Sequence, residues 1–107
     1  MTRIELIEFL GDFLTRLDVF IGSMLPSNPN RVPFEEARDE LDGMLLDLRK
    51  HHFNDKTQLY LNATEVLEAI NDDLRNTIDD LTKTVETLDT ITRFVGAVDR
   101  IIQIVIP

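Results

Sequence analysis

The sequence predicts an all-α fold: a three-helix antiparallel arrangement with a long C-terminal helix that dimerises into a helical bundle. Apolar residues recur at steps of three and four through most of the chain, which is the spacing of one helix face. Residues 59–106 contain no proline and one glycine, Gly96. Two prolines and two asparagines mark residues 26–32 as a loop. At 107 residues, the chain is expected to form a single helical domain, 1–107.

The first helix is expected over about residues 2–24. Thr2 and Glu5 have the spacing of a capping box, in which each side chain accepts a hydrogen bond from the other residue's backbone N–H. The apolar residues that follow cover a wide arc, which indicates contact with two neighbouring helices. Pro26 disfavours helical geometry at Leu25, so the helix has to end by that residue.

The second helix is expected over about residues 33–52. Pro33 suits the first helical position, and the carboxylates of Glu35 and Glu36 favour the positive end of the helix dipole. One face of this helix is apolar and the other is charged, which is typical of a helix with a solvated outer side. The chain is expected to reverse at residues 54–55.

The third helix is expected over about residues 56–105, roughly 75 Å at the rise of an α-helix. A later start is an alternative, because Asn62 and Glu65 also have capping-box spacing. The earlier start is favoured because Leu59 and Ala63 already follow helical spacing. Threonine recurs over residues 76–92, and since threonine is a mediocre helix former, this segment depends on packing.

The second half of this long helix has no covering helix in its own chain. Its apolar stripe would form a larger exposed patch than monomeric proteins usually carry, so we predict a homodimer with antiparallel long helices. An alternative breaks the third helix and closes a four-helix bundle within one chain. That alternative is disfavoured because no glycine or proline lies between Met44 and Val95. The predicted interface consists of Leu81, Val85, Leu88, Ile91, Val95, Val98, Ile102 and Val105.

Charge and composition restrict the classes of partner. Acidic residues outnumber basic ones, 20 against 11, and the formal net charge of −9 disfavours nucleic acids and anionic membranes. No apolar window is long enough to span a bilayer. Arg3, Glu5, Glu8 and Asp12 interrupt the N-terminal apolar positions, so no signal peptide is expected and a cytoplasmic location is the default. The sequence has no cysteine, which excludes disulfides and thiolate metal sites.

The sequence offers no recognisable catalytic constellation, and we expect no enzyme, no cofactor and no bound metal. His51 and His52 are adjacent, so on a regular helix they would point about 100° apart and could not readily share a metal. We interpret them as helix-end residues favoured by the dipole. The carboxylates over residues 72–80 lack the glycine-containing pattern of a calcium loop and are interpreted as a solvated face.

Three functions are consistent with these features. The first is a non-enzymatic interaction or assembly module that self-associates through its long C-terminal helix. The second is an acidic regulatory or immunity-type protein that binds a basic protein partner. The third is a bundle that associates reversibly with lipid through the apolar residues 94–106.

Overall fold

The computed structural model describes residues 1–106, apart from the side chain of Leu81. Within that part of the chain there are four α-helices and no β-strand, which confirms the all-α class and replaces three predicted helices with four. A short 3-10 helix, Leu81–Lys83, precedes the last α-helix. The α-helices are α1 (Arg3–Gly22), α2 (Arg31–Lys50), α3 (Gln58–Arg75) and α4 (Thr84–Val105).

The four helices form a bundle in which α2 packs against α1 and α4, and α3 packs against α4. α1 and α3 complete the circuit, since both line the same surface grooves. α2 and α4 are parallel, because Pro33 and Leu88, near the start of each helix, line one groove. α1 and α3 are also parallel: the hydroxyl of Tyr60, near the start of α3, donates to the carbonyl oxygen of Thr2 at 3.3 Å. The connected pairs α1–α2 and α3–α4 are antiparallel.

The single third helix expected over 56–105 is wrong. Residues 76–83 turn the chain back, so that α3 and α4 are separate helices packed against each other. The chain therefore adopts the alternative that the sequence disfavoured, four helices packed within one chain. An unbroken helix would have been roughly 75 Å long, whereas the longest extent of the molecule is 43 Å.

Short polar side chains, and not glycine or proline, break the helix. The carboxylate of Asp80 accepts hydrogen bonds from the hydroxyl and the backbone N–H of Thr82 at 2.6 and 2.9 Å, and these bonds lower the pKa of Asp80 below its ordinary 3.8. The buried hydroxyl of Thr87 on α4 donates to the carbonyl oxygen of Thr77 in the turn at 3.2 Å. Aspartate and threonine bond readily to nearby backbone, which offers the chain an alternative to a continuous helix.

Phe94 anchors α4 in the centre of the bundle. Its ring stacks on Phe13 of α1 with centroids 3.8 Å apart and planes 7° from parallel, and the ring of Phe9 lies 6.1 Å away. The Phe94 side chain is 0% exposed. The face of α4 that carries Phe94 is therefore covered by its own chain, unlike the uncovered C-terminal half from which the dimer is predicted.

Some helix ends lie where the sequence predicts them, and others are shifted by a few residues. The capping box of Thr2 and Glu5 is confirmed, and its hydrogen bonds from Thr2 lower the pKa of Glu5. α3 begins at Gln58, close to the earlier of the two predicted starts. α2 begins at Arg31, so Pro33 is its third residue and not its first. This position costs no hydrogen bond, because the first four N–H groups of a helix have no partner within it.

Arg3 closes the end of the bundle where α1 and α3 begin and α2 finishes. Its guanidinium donates to the carbonyl oxygens of His51 at 2.7 Å, Arg49 at 3.0 Å and Leu48 at 3.4 Å. Its backbone N–H donates to a carboxylate oxygen of Asp55 at 2.7 Å. The last carbonyls of a helix have no partner within that helix, so Arg3 supplies donors that α2 lacks and adds positive charge to that of Arg49 and Lys50 in its last turn.

Replacing Arg3 with alanine is expected to lower the free energy of unfolding by about 1–2 kcal/mol, because several helix-end carbonyls lose a charged donor. Urea denaturation measures the difference. Arg49→Ala is the matched control, since the exposed Arg49 side chain makes no hydrogen bond or ion pair within residues 1–106. Equal losses for the two variants would contradict the capping role of Arg3.

Tyr60, the only tyrosine, gives a direct spectroscopic check of the same end of the bundle. Its ring is 0% exposed, and burial, followed by the charges of Asp55 and Glu5, raises its pKa from 10.0 to about 12. The fold favours the protonated phenol, so this contribution to stability is intact below pH 10.0 and is lost as the pH rises towards about 12. Ultraviolet absorbance should show the phenolate forming well above the pH expected for free tyrosine. Titration at the ordinary value would contradict the burial.

Candidate functional site

The predicted interface residues of α4 divide into two rows, and the first row faces the chain's own core. Ile91 and Val98 are each 0% exposed. Val105 continues this row at the same spacing and is half-buried against the core. Both of the fully buried residues are therefore inaccessible to a second copy of the folded chain, and their assignment to a dimer interface is not supported.

The second row remains at the surface. Leu88, Val95 and Ile102 are seven residues apart, which places them on one helix face, and each is half-buried. Val85 lies near the start of the same helix and is 71% exposed. The remaining predicted residue, Leu81, has a side chain outside the described part of the structure.

This second row lines a groove between α2 and α4. Leu88 and Val95 form one apolar side of it, and Pro33 and Ala37 of α2 form the other. Thr92 lies between the two α4 residues and is exposed. Because α2 and α4 run parallel, the apolar row continues in register along both helices. Met44 follows Ala37 after two turns, as Ile102 follows Val95, and both are half-buried against the core.

Two carboxylates define the charge of this groove. Glu36 and Glu40 of α2 line it and are exposed, and neither forms an ion pair with any described residue. The nearest cation on the same helix, Arg38, points the other way: it pairs with Asp18 of α1 at 2.9 Å and with Asp42 at 3.8 Å. The hydrogen bond that Arg38 donates to Asp18, and the negative charge of Asp18, raise the pKa of Arg38. The acidic groove is therefore not neutralised from within α2.

The histidines do not assemble into a site. α2 ends at Lys50, so His51 and His52 follow the helix and both are exposed. The Nδ1 atom of His51 lies 2.8 Å from the carbonyl oxygen of Asp47. Across residues 1–106, no three histidine, aspartate or glutamate side chains lie close enough together to hold a metal ion. No helix in the same range is long and apolar enough to cross a lipid bilayer.

Leu88 and Val95 on the α4 side of the groove belong to the predicted interface, whereas Pro33 and Ala37 on the α2 side do not. From the sequence, Pro33 is interpreted as a helix-start residue, and Glu36 as a first-turn carboxylate that favours the helix dipole and lies on a solvated face. The spacing did contain a signal, because the row containing Leu88 and the row containing Ile91 each repeat every seven residues. Assigning both rows to one interface concealed that they face different surroundings.

No family model, curated protein or solved structure matches this chain.

Gly43 and Gly96 give a test of whether the solvent side of these two helices carries any packing constraint. Both are exposed within helices, and a methyl group added at either would meet no atom within 4 Å. Each glycine→alanine variant should therefore raise the free energy of unfolding by about 1 kcal/mol, because glycine is the weaker helix former. Urea denaturation of the two single variants and of the double variant checks this. A loss of stability in either variant would contradict the open surroundings of the two glycines in the structure.

Proposed function

We propose that this chain is a non-enzymatic interaction module whose α2–α4 groove binds a basic amphipathic helix from a protein partner. The observation that carries the proposal is an apolar row open to solvent beside two carboxylates without cationic partners. The row is formed by Leu88 and Val95 with Ala37, and the carboxylates belong to Glu36 and Glu40. Apolar anchors on a groove floor with charged groups at its rim are the usual elements of helix-in-groove recognition.

The spacing of the row suits a helical occupant. Leu88, Val95 and Ile102 repeat every seven residues along α4, and Ala37 and Met44 do the same along α2. A ligand helix lying along the groove would present its own apolar residues at the same period, so that anchors meet the floor at every second turn. An extended peptide has a period of two residues and does not match this spacing.

The charge of the groove argues for a basic occupant. The chain carries a formal net charge of −9, which attracts cationic partners and speeds their encounter. Lysine or arginine on the flanks of the bound helix would meet Glu36 and Glu40. A second copy of this chain would instead bring further net negative charge to the groove, and such like-charge contacts disfavour association.

The other two functional hypotheses depend on apolar residues of α4 that are buried in the bundle. Self-association through α4 requires an uncovered C-terminal helix, whereas Ile91 and Val98 are buried in their own bundle. Lipid association requires that the apolar residues 94–106 be accessible, whereas Phe94 and Ile101 are each 0% exposed. Self-association nevertheless remains a distinct outcome of the experiment below.

The test uses two synthetic helical peptides with the same heptad of leucines, one flanked by lysine and the other by glutamate. The lysine peptide should bind and the glutamate peptide should not, and Glu40→Lys should weaken lysine-peptide binding about fivefold to tenfold, since it reverses a rim charge. Glu65→Lys is the matched control, because it makes the same change in net charge on the exposed side of α3, outside this groove. Isothermal titration calorimetry gives the affinities.

Equal weakening by both variants would show that the peptide responds only to net charge, and the proposed site would be wrong. Sedimentation equilibrium, run in parallel, is expected to give the mass of one chain. If it gives twice that mass and Val95→Ala restores one chain, the groove is a self-association surface and the proposal of a basic partner fails.

A further inference from the structure

A second groove, between α1 and α3, combines charged, amide and aromatic side chains. α1 and α3 do not pack closely along their lengths as the other neighbouring helices do. Phe9 of α1 is half-buried and lies in the middle of the groove that separates them, since it lines both of its halves. One half contains Glu8 and Glu68, and the other contains Arg16 and Arg75, while the exposed Asp12 lines both halves.

Asn71 of α3 lies in the half that contains Arg16 and Arg75, and it differs from the other buried polar residues in its hydrogen bonding. It is 5% exposed, and its side chain makes no hydrogen bond within residues 1–106. The other buried polar side chains are all threonines whose hydroxyls donate to backbone carbonyls, as Thr64 does to Leu61 at 2.9 Å. An asparagine amide offers two donors and an acceptor. No other described residue uses them, and the amide atoms keep contact with solvent. What remains accessible of Asn71 opens into the groove.

The charged residues at the two ends of the groove have opposite signs. Arg16 is half-buried and forms no ion pair with any described residue, and Arg75 reaches Asp72 only at 3.8 Å, with both side chains largely exposed. Glu8 and Glu68 at the other end likewise have no ion-pair partner among residues 1–106. The two arginines therefore lie at one end of the groove and the two glutamates at the other, with Asn71, Phe9 and the carboxylate of Asp12 between them.

We propose that this groove binds the C-terminal segment of a peptide. The terminal carboxylate pairs with Arg16 and Arg75, because guanidinium groups match a carboxylate in charge and geometry. The amide of Asn71 exchanges hydrogen bonds with the peptide backbone. The apolar side chain of the last residue lies on Phe9, and a basic residue upstream meets Glu68.

The spacing along α3 sets the position of that basic residue. Glu68 and Arg75 are seven residues apart on a helix, which is about 10 Å along its axis at 1.5 Å per residue. An extended peptide advances about 3.3 Å per residue. The basic residue is therefore placed three positions before the C-terminal one.

This site is independent of the proposed helix-binding groove. The α1–α3 groove and the α2–α4 groove share no residue and lie on opposite sides of the bundle. Both grooves are therefore accessible at the same time. Failure of one proposal leaves the other untouched, because each has its own probe and its own variants.

The experiment titrates the isotopically labelled protein with the tetrapeptide acetyl-Lys-Ala-Ala-Phe and follows backbone and side-chain amide signals by NMR. Saturable shifts are expected at Phe9 and at the side-chain amide of Asn71. The same peptide with an amidated C-terminus should bind about tenfold more weakly, since it has lost the carboxylate. In the double variant Arg16→Gln and Arg75→Gln, the free and amidated peptides should bind equally.

Asn71→Leu separates a ligand-binding role from a structural one. The variant removes a buried amide that the fold does not use, so the melting temperature should stay the same or rise while peptide binding falls about tenfold. Thr64→Val is the matched control on the same helix and should leave peptide binding unchanged. Wild-type affinity in Asn71→Leu, or no saturable shift in the wild-type protein at millimolar peptide, overturns the proposal. Should Asn71→Leu not fold, the comparison of free and amidated peptides on the wild-type protein decides the question alone.

Discussion

The reversal of the chain between α3 and α4 is the constraint on which the rest of the structure depends. It is held by local bonds, from the hydroxyl and N–H of Thr82 to Asp80, and by one longer bond from the Thr87 hydroxyl to the Thr77 carbonyl. Because the chain turns there, the ring of Phe94 reaches the ring of Phe13 on α1 and closes the core. Without the turn, the same apolar residues would extend past the end of the bundle and require another molecule to cover them.

The turn also decides which apolar residues remain for binding. A helix with two apolar rows can satisfy one against its own core and leave the other at the surface. In α4 the row of Ile91 and Val98 is buried, while Leu88 and Val95 stay half-exposed beside α2. Since α2 brings Glu36 and Glu40 to the same groove, the exposed row acquires a charge preference that α4 by itself does not have.

The residues that stabilise the end of the bundle and the residues that line the grooves lie in different parts of the molecule. At the end where α1 begins, Arg3 satisfies the last carbonyls of α2, and the buried Tyr60 packs against Phe53 with ring centroids 5.5 Å apart. Arg3 and Tyr60 both have hydrogen-bond partners within the chain. Asn71, between α1 and α3, has no side-chain partner among the described residues, although it is almost as buried as the core. The amide of Asn71 therefore remains available to a ligand in the groove, which is the premise of the proposed peptide site.

The sequence by itself determined the all-α class, the first two helices to within about two residues, and the capping box of Thr2 and Glu5, because these features depend on local spacing and local hydrogen bonds. It also identified the apolar rows of α4. It did not determine where the third helix breaks, since neither glycine nor proline is present and the competing bonds of Asp80 and Thr82 are individually weak. Only the tertiary structure decided which row faces inward, and that Pro33 and Ala37 lie beside Leu88. Those contacts join residues about fifty positions apart, and the energy that selects among such pairings comes from burial across the whole core, which no local pattern encodes.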